Sequence, residues 1–332
     1  MQSIGVVVIG RNEGKRLERC LLSILSEGVI VTYVDSGSTD GSVAMASALG
    51  VYVVELDLTI PFTAARARNA GFDQLLKLAP NLEYVQFVDG DCQIAQNWLN
   101  VAAKYLDEHQ EVVVVCGRRR ERFPSESRYN RLCDIEWDTP IGETKACGGD
   151  SMMRVSAFKA VGGFNQALIA GEEPELCLRL RTNGGVIMRI DEEMTQHDAQ
   201  MTNIGQWWKR SLRAGHAYAQ VAQMHANKSE RYWEKESRSI WLWGFILPLI
   251  AIATSWITYG FSFFILTSLY TYLFYRIYQY GRATGLTAQD AKLYALYCVL
   301  SKFPQAQGQI KFHLSRLLKR QPTLVEYKNA TS

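Results

Sequence analysis

The chain has 332 residues, 48% hydrophobic and 21% charged, which is the composition of a globular protein and excludes a disordered one. Its net charge of +3 is unevenly distributed: residues 1–200 contain 20 Lys and Arg against 28 Asp and Glu, and residues 201–332 contain 16 against 5. This contrast predicts a soluble domain joined to a segment that contacts anionic lipid or nucleic acid. The seven cysteines form no Cys-x-x-Cys pair, so they indicate neither a zinc pattern nor a disulfide framework, and they favour reduced, mostly buried thiols.

Short apolar runs alternate with helical patterns over the first 120 residues. The runs have the length and β-branched composition of buried strands, and polar residues follow several of them. This alternation predicts an α/β fold with a parallel sheet flanked by helices. The predicted strands are Ile4–Ile9, Val29–Val34, Val51–Leu56, Tyr84–Val88 and Val112–Cys116, and the longest predicted helices are Ala64–Leu78 and Gln96–Asp107.

The stretch Glu83–Cys92 ends a buried strand with two carboxylates, Asp89 and Asp91, separated by one glycine. In an open α/β sheet, ligands bind at the carboxyl ends of the strands. Two acids at such an edge can share a hard divalent cation, which completes its shell with substrate phosphates. The stretch therefore predicts a metal-bridged diphosphate site. An ordinary acidic turn is the alternative. The sequence contains neither a Gly-x-Gly-x-x-Gly motif nor a Walker A lysine, so it does not indicate a dinucleotide-binding fold or a P-loop fold.

Several short motifs follow one another in a fixed order between residues 3 and 215. Together they resemble the motifs of family 2 glycosyltransferases of the membrane-anchored bacterial type. The resemblance implies a GT-A fold (a Rossmann-like mixed sheet flanked by helices), an inverting reaction, a nucleotide-sugar donor and Mg²⁺ or Mn²⁺. The motifs that carry it are Val7-Val8-Ile9 with Asn12-Glu13, Val34 to Asp40, Ala67-Arg68-Asn69, Asp89-Gly90-Asp91, Gly148-Gly149-Asp150, Gly162-Gly163-Phe164 and Glu172 to Leu176.

The resemblance also implies roles for individual residues. Asp35 matches the acid that contacts the nucleotide base, and Arg68 matches an arginine near the nucleotide. Asp91 matches the acid that ligates the metal, and Asp89 is the acid beside it that faces the sugar or ribose and shares in the metal site. The other residues expected to bind the donor in these motifs are Asn12, Glu13 and Gly149.

Two adjacent glutamates, Glu172 and Glu173, are the candidates for the catalytic base. Pro174 favours the first position of a helix, which predicts Glu173 as the N-cap. Glutamate is not a preferred N-cap, so its presence indicates another role, whereas an acidic first turn favoured by the helix dipole is the alternative. The family usually has aspartate at the position of Glu173, so which of the two glutamates acts stays open.

Further candidates lie closer to the C-terminus. The resemblance implies that His197 is a third metal ligand or a diphosphate contact, whereas a structural hydrogen bond is the alternative. Arg210 and Arg213 recur at helical spacing with Trp207 and Trp208. They are expected either to bind diphosphate oxygens beneath the indole rings or to form an amphipathic helix on the membrane surface.

A run of arginines, residues 118–120 with Arg122, follows the fifth predicted strand. Such a run is also found where proteins bind nucleic acid. Within an acidic domain, we expect it to be a solvated loop or a contact to a phosphate or lipid headgroup. We therefore predict no nucleic-acid partner, and the sequence indicates no particular oligomeric state.

The C-terminal region is predicted to be associated with the membrane. Residues 240–275 contain no charged side chain, and at about 20 residues per span this length fits a transmembrane hairpin. Basic residues on both flanks predict that both ends are cytoplasmic, whereas an apolar pair of soluble helices is the alternative. Residues 308–320 are predicted to form a basic amphipathic helix, which lies on anionic lipid or packs under the catalytic domain.

These patterns predict a catalytic domain at residues 1–225 and a membrane-associated helical region at residues 226–332. The predicted function is transfer of a sugar to a hydroxyl of a lipid, a lipid-linked glycan or a cell-surface polysaccharide. The predicted location is the inner or plasma membrane, with the catalytic domain in the cytoplasm. A sugar-phosphate nucleotidyltransferase-like enzyme and a non-catalytic membrane scaffold stay open as alternatives.

Overall fold

The computed structural model describes residues 4–227 and 230–319. By their packing these residues divide into two units. The first consists of residues 4–123 and 136–200, and the second of residues 124–135 and the described residues from 201 onward. The compact first unit therefore ends near residue 200. That the catalytic domain extends to residue 225 stays a prediction about function.

The nine strands found among the described residues all lie in the first unit. The strands are β1 (Ile4–Gly10), β2 (Ile30–Asp35), β3 (Tyr52–Glu55), β4 (Tyr84–Asp89), β5 (Cys92–Ile94), β6 (Val112–Glu121), β7 (Gly142–Glu143), β8 (Ser151–Arg154) and β9 (Val186–His197). The helices are α1 (Lys15–Leu25), α2 (Ser42–Ala48), α3 (Ala64–Leu78), α4 (Trp98–Glu108), α6 (Val155–Ala160) and α7 (Glu172–Thr182), together with the end of α5 (Arg128–Trp137), which begins in the second unit.

The strands form one mixed sheet in the order β3-β2-β1-β4-β8-β6-β9-β5, with β7 also paired to β9. The first four strands in this order, β3, β2, β1 and β4, run parallel, as the alternating pattern predicts. The predicted parallel sheet is wrong at two places in the other half, because β8 lies antiparallel to β4 and β6, and β5 lies antiparallel to β9, whereas β6 and β9 are parallel. The strand β8 is reached through a loop and not through a crossover helix, so it need not run parallel to its neighbours. The mixed sheet of the expected fold is confirmed.

The register of the parallel strands places three loops side by side. Gly10 at the end of β1 pairs with Asp35 at the end of β2, and Ile9 pairs with Asp89 at the end of β4. Loops that follow parallel strands leave from the same edge of the sheet. The polar motifs after β1, β2 and β4 therefore meet at one edge, although they are separated by up to 80 residues of sequence.

Close packing of α3 on β1 and β2 holds this edge in place. A Cβ atom added to Gly71 would lie 2.4 Å from Val7 Cγ1 and 2.9 Å from Val34 Cγ2. Only glycine lets the helix approach the strands this closely. The helix thereby carries Arg68 and Asn69 to the carboxyl ends of the strands.

The second unit is helical. Its helices are α8 (Ile204–Met224), α9 (Glu234–Trp241), a π-helical segment (Leu242–Ile246), α10 (Leu247–Thr254), α11 (Phe261–Ala283), α12 (Ala288–Leu300) and α13 (Lys302–Leu317), together with the start of α5. Glycines let α8 and α13 cross in contact, because a Cβ atom on Gly308 would lie 2.1 Å from the carbonyl oxygen of Leu212. The predicted amphipathic helix at residues 308–320 is thus the end of α13, packed on α8, and its last residue lies outside the described part of the chain.

Much of the apolar surface of the second unit is exposed. The helix α9, the π-helical segment and α10 form one continuous helical run, Glu234–Thr254, of 21 residues, with an 18-residue window of mean hydropathy 1.4. Among the described residues, this is the one helical run long and apolar enough to cross a membrane. The second half of the predicted hairpin corresponds to α11, which also exposes large apolar side chains. The transmembrane hairpin at residues 240–275 stays a prediction. Exposed apolar residues in these helices include Leu249, Ile250, Ile252, Phe261 and Phe264, and Trp256 and Ile257 are exposed in the turn between α10 and α11.

Candidate active site

The loop after β2 is organised around the buried carboxylate of Asp35. Its Oδ2 atom accepts hydrogen bonds from the backbone N–H groups of Gly37 and Ser38 at 2.8 and 2.7 Å. Its Oδ1 atom accepts hydrogen bonds from the hydroxyls of Tyr33 and Ser38 at 2.6 and 2.5 Å. A carboxylate has about four acceptor positions, and four donors meet Asp35. The geometry therefore assigns Asp35 to shaping the loop, and its contact with a nucleotide base stays a prediction.

The loop after β1 is joined to the loop after β2. The backbone N–H of Asn12 donates to Ser38 Oγ at 2.9 Å, and Asn12 Oδ1 accepts from the backbone N–H of Thr39 at 2.7 Å. Asn12 has a φ of 54°, a left-handed conformation that asparagine tolerates better than most residues. Glu13 is buried and forms an ion pair of 2.7 Å with Arg16. Asn12 and Glu13 thus stand at the predicted donor edge, where they fix the shape of its loops.

A buried arginine connects two of the predicted acids. Arg68 Nη2 lies 2.8 Å from Asp89 Oδ1, and Arg68 Nη1 lies 2.7 Å from Glu172 Oε1. Burial opposes the positive charge of Arg68, but Asp89 and Glu172 outweigh this and hold its pKa above the usual value. Glu172 is therefore ion-paired with a side chain that carries a permanent positive charge.

Gly149 lies directly against this ion pair. A Cβ atom added there would be 2.8 Å from Asp89 Oδ2 and 2.9 Å from Arg68 Nη2. Any larger residue would displace one of the two charged side chains. The predicted role of Gly149 at the donor site thus has a steric basis: the loop before β8 must approach the end of β4 closely.

Arg119 is a member of the site that the sequence analysis did not select. Its side chain is 13% exposed. Its Nε atom lies 3.3 Å from Asp150 Oδ2, and its Nη2 atom lies 3.5 Å from Asp89 Oδ2. Its guanidinium carbon lies 4.8 Å from the centre of the Trp137 ring. Its neighbours Arg118 and Arg120 instead pair with acids that are more exposed. Because successive side chains of a strand point to opposite faces, the extension of β6 to Glu121 separates Arg119 from the other two.

Asp150 is the second residue that the sequence analysis left out of the site. It is fully buried, accepts the backbone N–H of Asp89 at 3.1 Å and the Thr195 hydroxyl at 2.9 Å, and lies 3.3 Å from the Cys92 sulfur. These contacts tie β4, β5 and β9 together. The signal for it was present, since Asp150 ends the Gly148-Gly149-Asp150 motif.

Asp91 and His197 are brought together by the antiparallel pairing of β5 with β9. Cys92 pairs with His197 in this ladder, and His197 Nε2 lies 3.1 Å from Asp91 Oδ2. Both side chains are buried. Burial by itself lowers the pKa of His197, but the Asp91 carboxylate more than offsets it and the pKa is raised.

The donor atoms at this point suit a divalent metal. The carboxylate of Asp91, the imidazole of His197 and the thiol of Cys92 offer atoms within 4.8 Å of one another. Carboxylate ligands suit Mg²⁺ and Mn²⁺, and imidazole ligands suit transition metals such as zinc and iron. Asp89, the other predicted ligand, is not part of this group, because its carboxylate is directed towards Arg68 and Arg119.

Glu173 lies in a different environment from Glu172. Its Oε1 atom accepts the backbone N–H of Cys147 at 2.6 Å and lies 3.2 Å from the Cys147 sulfur and 3.0 Å from the Cys177 sulfur. Burial raises the pKa of Glu173, and these hydrogen bonds only partly counteract the effect. A buried carboxylate whose pKa is raised is suited to accept a proton.

The prediction that Glu173 is a helix N-cap is wrong. Helix α7 begins at Glu172, and its N-cap is Gly171 in the left-handed conformation with φ 78°. Glu173 and Pro174 therefore lie inside the first turn, where the N–H groups need no partner within the helix and proline is still tolerated. The glycine makes the turn that directs both glutamates inward.

The predicted residues thus fall into separate groups. Asp89, Arg68, Glu172 and Gly149 are in contact, Asp91 and His197 form a pair, and Asn12, Glu13 and Asp35 shape the neighbouring loops. Arg210 and Arg213 lie half-buried on α8 in the second unit, so their expected contact with a diphosphate stays a prediction. Trp207 of the same helix is buried against Tyr297, with ring centres 4.9 Å apart.

Sequence comparison identifies relatives of this chain. The family described as glycosyl transferase family 2 matches residues 5–162. A pre-mycofactocin glycosyltransferase of Mycobacterium tuberculosis is 25% identical over 242 residues, which cover 69% of this chain and 49% of the relative. The chain thus spans about half the length of this curated relative. Glycosyltransferase AglE of Haloferax volcanii is 23% identical over 231 residues, which cover 66% of this chain and 73% of the relative.

Comparison of structures gives the fold. The mannosyltransferase PcManGT of Pyrobaculum calidifontis, solved with GDP-Man and Mn²⁺, superposes with a TM-score of 0.57 at 16% identity, covering 96% of this chain and 87% of the other. Residues 1–349 of S. aureus TarS superpose with a TM-score of 0.51 at 16% identity, covering 95% and 92%. The mixed sheet flanked by helices is the GT-A fold.

Proposed function

Because the chain carries a glycosyl transferase family 2 domain at residues 5–162, we propose that it is an inverting, metal-dependent glycosyltransferase. It moves a sugar from a nucleotide-sugar donor to a hydroxyl of a lipid, a lipid-linked glycan or a cell-surface polysaccharide. The relatives named glycosyltransferases support the reaction class. PcManGT, which shares the fold and was solved with GDP-Man and Mn²⁺, supports the choice of donor class and cation.

The observation that carries the proposal is the different surroundings of two adjacent carboxylates. Glu172 is ion-paired with Arg68, whereas Glu173 has neutral donors around it and a raised pKa. Pairs of acids with unlike environments are typical of sites in which one acid exchanges a proton and the other stays ionised. We therefore assign Glu173 as the catalytic base and Glu172 as the residue that positions Arg68.

The chemistry follows from this assignment. Glu173 accepts the proton of an acceptor hydroxyl, and the resulting oxygen attacks the anomeric carbon from the face opposite the nucleoside diphosphate. The bond to the diphosphate breaks in the same displacement, so the configuration inverts. A divalent cation, Mn²⁺ or Mg²⁺, held by Asp91 and His197 would supply positive charge for the departing diphosphate. Arg119 and Arg68 hold Asp89 beside this cation site.

We also propose that the second unit attaches the enzyme to the inner or plasma membrane, with the catalytic domain in the cytoplasm. The apolar helix Glu234–Thr254 and the exposed apolar side chains of α10 and α11 support this. Exposed apolar patches of this extent are typical of membrane or protein contacts. A membrane-bound enzyme reaches a lipid or lipid-linked acceptor directly, which favours these acceptor classes.

The test is donor turnover by the full chain purified in detergent. UDP-, GDP- and dTDP-sugars are offered with and without Mn²⁺, and the products are identified. We expect Mn²⁺-dependent release of one nucleoside diphosphate, and a loss of at least about 100-fold in Asp91→Asn, the range seen when a group that stabilises transition-state charge is removed. Asp73→Asn, an exposed acid on α3, is the matched control and should keep full turnover.

Other outcomes identify the alternatives. Release of pyrophosphate would indicate a nucleotidyltransferase-like enzyme. No release from any donor, with no nucleotide-induced rise in melting temperature, would indicate a non-catalytic scaffold. Unchanged turnover in a folded Asp91→Asn protein would contradict the metal assignment.

A further inference from the structure

A second cluster of three buried side chains shares no residue with the Asp91–His197 pair. It consists of Cys147, Glu173 and Cys177, whose ligand atoms all lie within 4.8 Å of one another. We propose that this cluster is a binding site for a thiophilic divalent cation such as Zn²⁺ or Cd²⁺, and that occupation of the site withdraws the Glu173 carboxylate from proton transfer.

The separations of the three ligand atoms are close to those around a tetrahedral zinc ion. The two sulfurs lie 3.5 Å apart, and Glu173 Oε1 lies 3.2 and 3.0 Å from them. Zinc bonds of about 2.3 Å to sulfur and about 2.0 Å to oxygen require separations of about 3.8 Å between sulfurs and about 3.5 Å between sulfur and oxygen. The cluster therefore needs an expansion of only a few tenths of an ångström.

The elements that supply the ligands allow this expansion. Glu173 and Cys177 are four residues apart on α7, so they share one face of the helix. Cys147 lies in the loop between β7 and β8, outside any strand or helix. The Ser151 hydroxyl is 3.3 Å from the Cys147 sulfur, which leaves a polar group or a water for the fourth position of a tetrahedral site.

The ligand types separate this cluster from the first metal site. Two thiolates and one carboxylate select zinc and other soft cations, whereas the first site offers one carboxylate, one imidazole and only one thiol, and Mg²⁺ and Mn²⁺ prefer oxygen ligands such as the carboxylate. Binding of the cation releases the two thiol protons to solvent and replaces the S–H hydrogen bonds to Glu173 Oε1 with bonds to the metal. The first site thus takes the cation that supports turnover, and the second takes one that opposes it.

The inhibitory part of this inference rests on the proposed function of Glu173, but the binding site does not. Cation binding has its own readout, the ultraviolet charge-transfer band of a Cd²⁺–thiolate bond. The full chain in detergent is reduced with a phosphine, freed of metal with a chelator, and titrated with Cd²⁺ in the presence of saturating Mn²⁺. Donor turnover is measured on the same samples.

We expect one thiolate-bound Cd²⁺ per wild-type chain and a fall in turnover that follows the band. Changes in the outer shell of a metal site already weaken binding by 10- to 100-fold, so Cys147→Ser and Cys177→Ser should each weaken it by at least about 100-fold. The matched control is Cys298→Ser, which removes the one free cysteine among the described residues that is not fully buried and should leave the band unchanged.

A second variant distinguishes the loss of a metal ligand from a folding defect. Glu173→Gln keeps both thiols and should weaken Cd²⁺ binding while its melting temperature stays at or above that of the wild type. Absence of the band in the wild type, or an equal band in both folded cysteine variants, would overturn the site. Loss of the band in Cys92→Ala alone would move the cation to the Asp91–Cys92–His197 group and equally overturn it. If the active enzyme binds Cd²⁺ without losing turnover, Glu173 is excluded as a ligand. If the wild type is inactive but binds Cd²⁺ as expected, only the proposed function is contradicted.

Discussion

Two regions of the first unit surround carboxylate groups with different partners. In the first, the arginine region, Arg68 and Arg119 face Asp89, Asp150 and Glu172, and every acid has a guanidinium within 3.5 Å. In the second, the thiol region, Glu173 is surrounded by a backbone N–H and by the thiols of Cys147 and Cys177.

The comparison shows that two acids joined by a single peptide bond have different surroundings. Glu172 and Glu173 are chemically identical and equally buried at 8% exposure, so burial alone does not distinguish them. An arginine partner compensates for the lost hydration of Glu172, whereas thiols are weak donors and compensate little for Glu173. Burial raises the pKa of Glu173, whose contacts are a backbone N–H and two thiols, whereas Glu172 forms an ion pair with Arg68.

The largest effect is expected from Glu173→Gln. Without a base, turnover should fall by about 100- to 10,000-fold, the usual contribution of general base catalysis, whereas donor binding should change little. Single-turnover kinetics and nucleotide-induced shifts in melting temperature measure the two effects separately. Glu83→Gln, an exposed glutamate before β4, serves as the control, and a Glu173→Gln enzyme with wild-type turnover would remove Glu173 from catalysis.

A smaller effect is expected from Glu172→Gln, which breaks the arginine region. Arg68 would keep Asp89 but lose its second charged partner, so we expect the free energy of unfolding to fall by about 1–3 kcal/mol. Turnover should fall less than in Glu173→Gln and should be accompanied by weaker donor binding. Chemical denaturation and donor titrations test this, and a stability equal to that of the wild type would show that the Arg68–Glu172 pair contributes nothing.

The smallest effect concerns the pH dependence of stability. Because burial raises the pKa of Glu173, the folded state holds its proton to higher pH than the unfolded state does. The associated stability is present below the ordinary pKa of glutamate, about 4.3, and is lost as the pH rises through the raised value. Glu173→Gln should therefore melt at a higher temperature than the wild type at neutral pH, and the difference should shrink in acid.

The control for this measurement is Glu172→Gln, which should not gain stability at neutral pH. Melting curves are recorded with a chelator present so that no cation occupies the thiol region. A Glu173→Gln protein that melts below the wild type at neutral pH and the same in acid would show that Glu173 is held in its ionised form by its neighbours.

The sequence by itself determined the class of fold and the edge of the sheet at which the site is built. Apolar runs of five or six residues specify buried strands through local periodicity, and the acids at the ends of β2 and β4 follow directly from where those runs end. The helix Ala64–Leu78 was predicted to the residue, because Thr63 accepts the backbone N–H of Arg66 as an N-cap and the apolar spacing continues to Leu78.

Only the tertiary structure decided which side chains face one another. Arg119 lies between two arginines of the same chemistry, and it belongs to the site because β6 extends further than its apolar residues do and turns alternate side chains to opposite faces. Cys147 and Cys177 are 30 residues apart and meet because a loop and a helix are packed together. Such contacts depend on long-range packing, which no local periodicity encodes, and they are what gives two adjacent glutamates different chemistry.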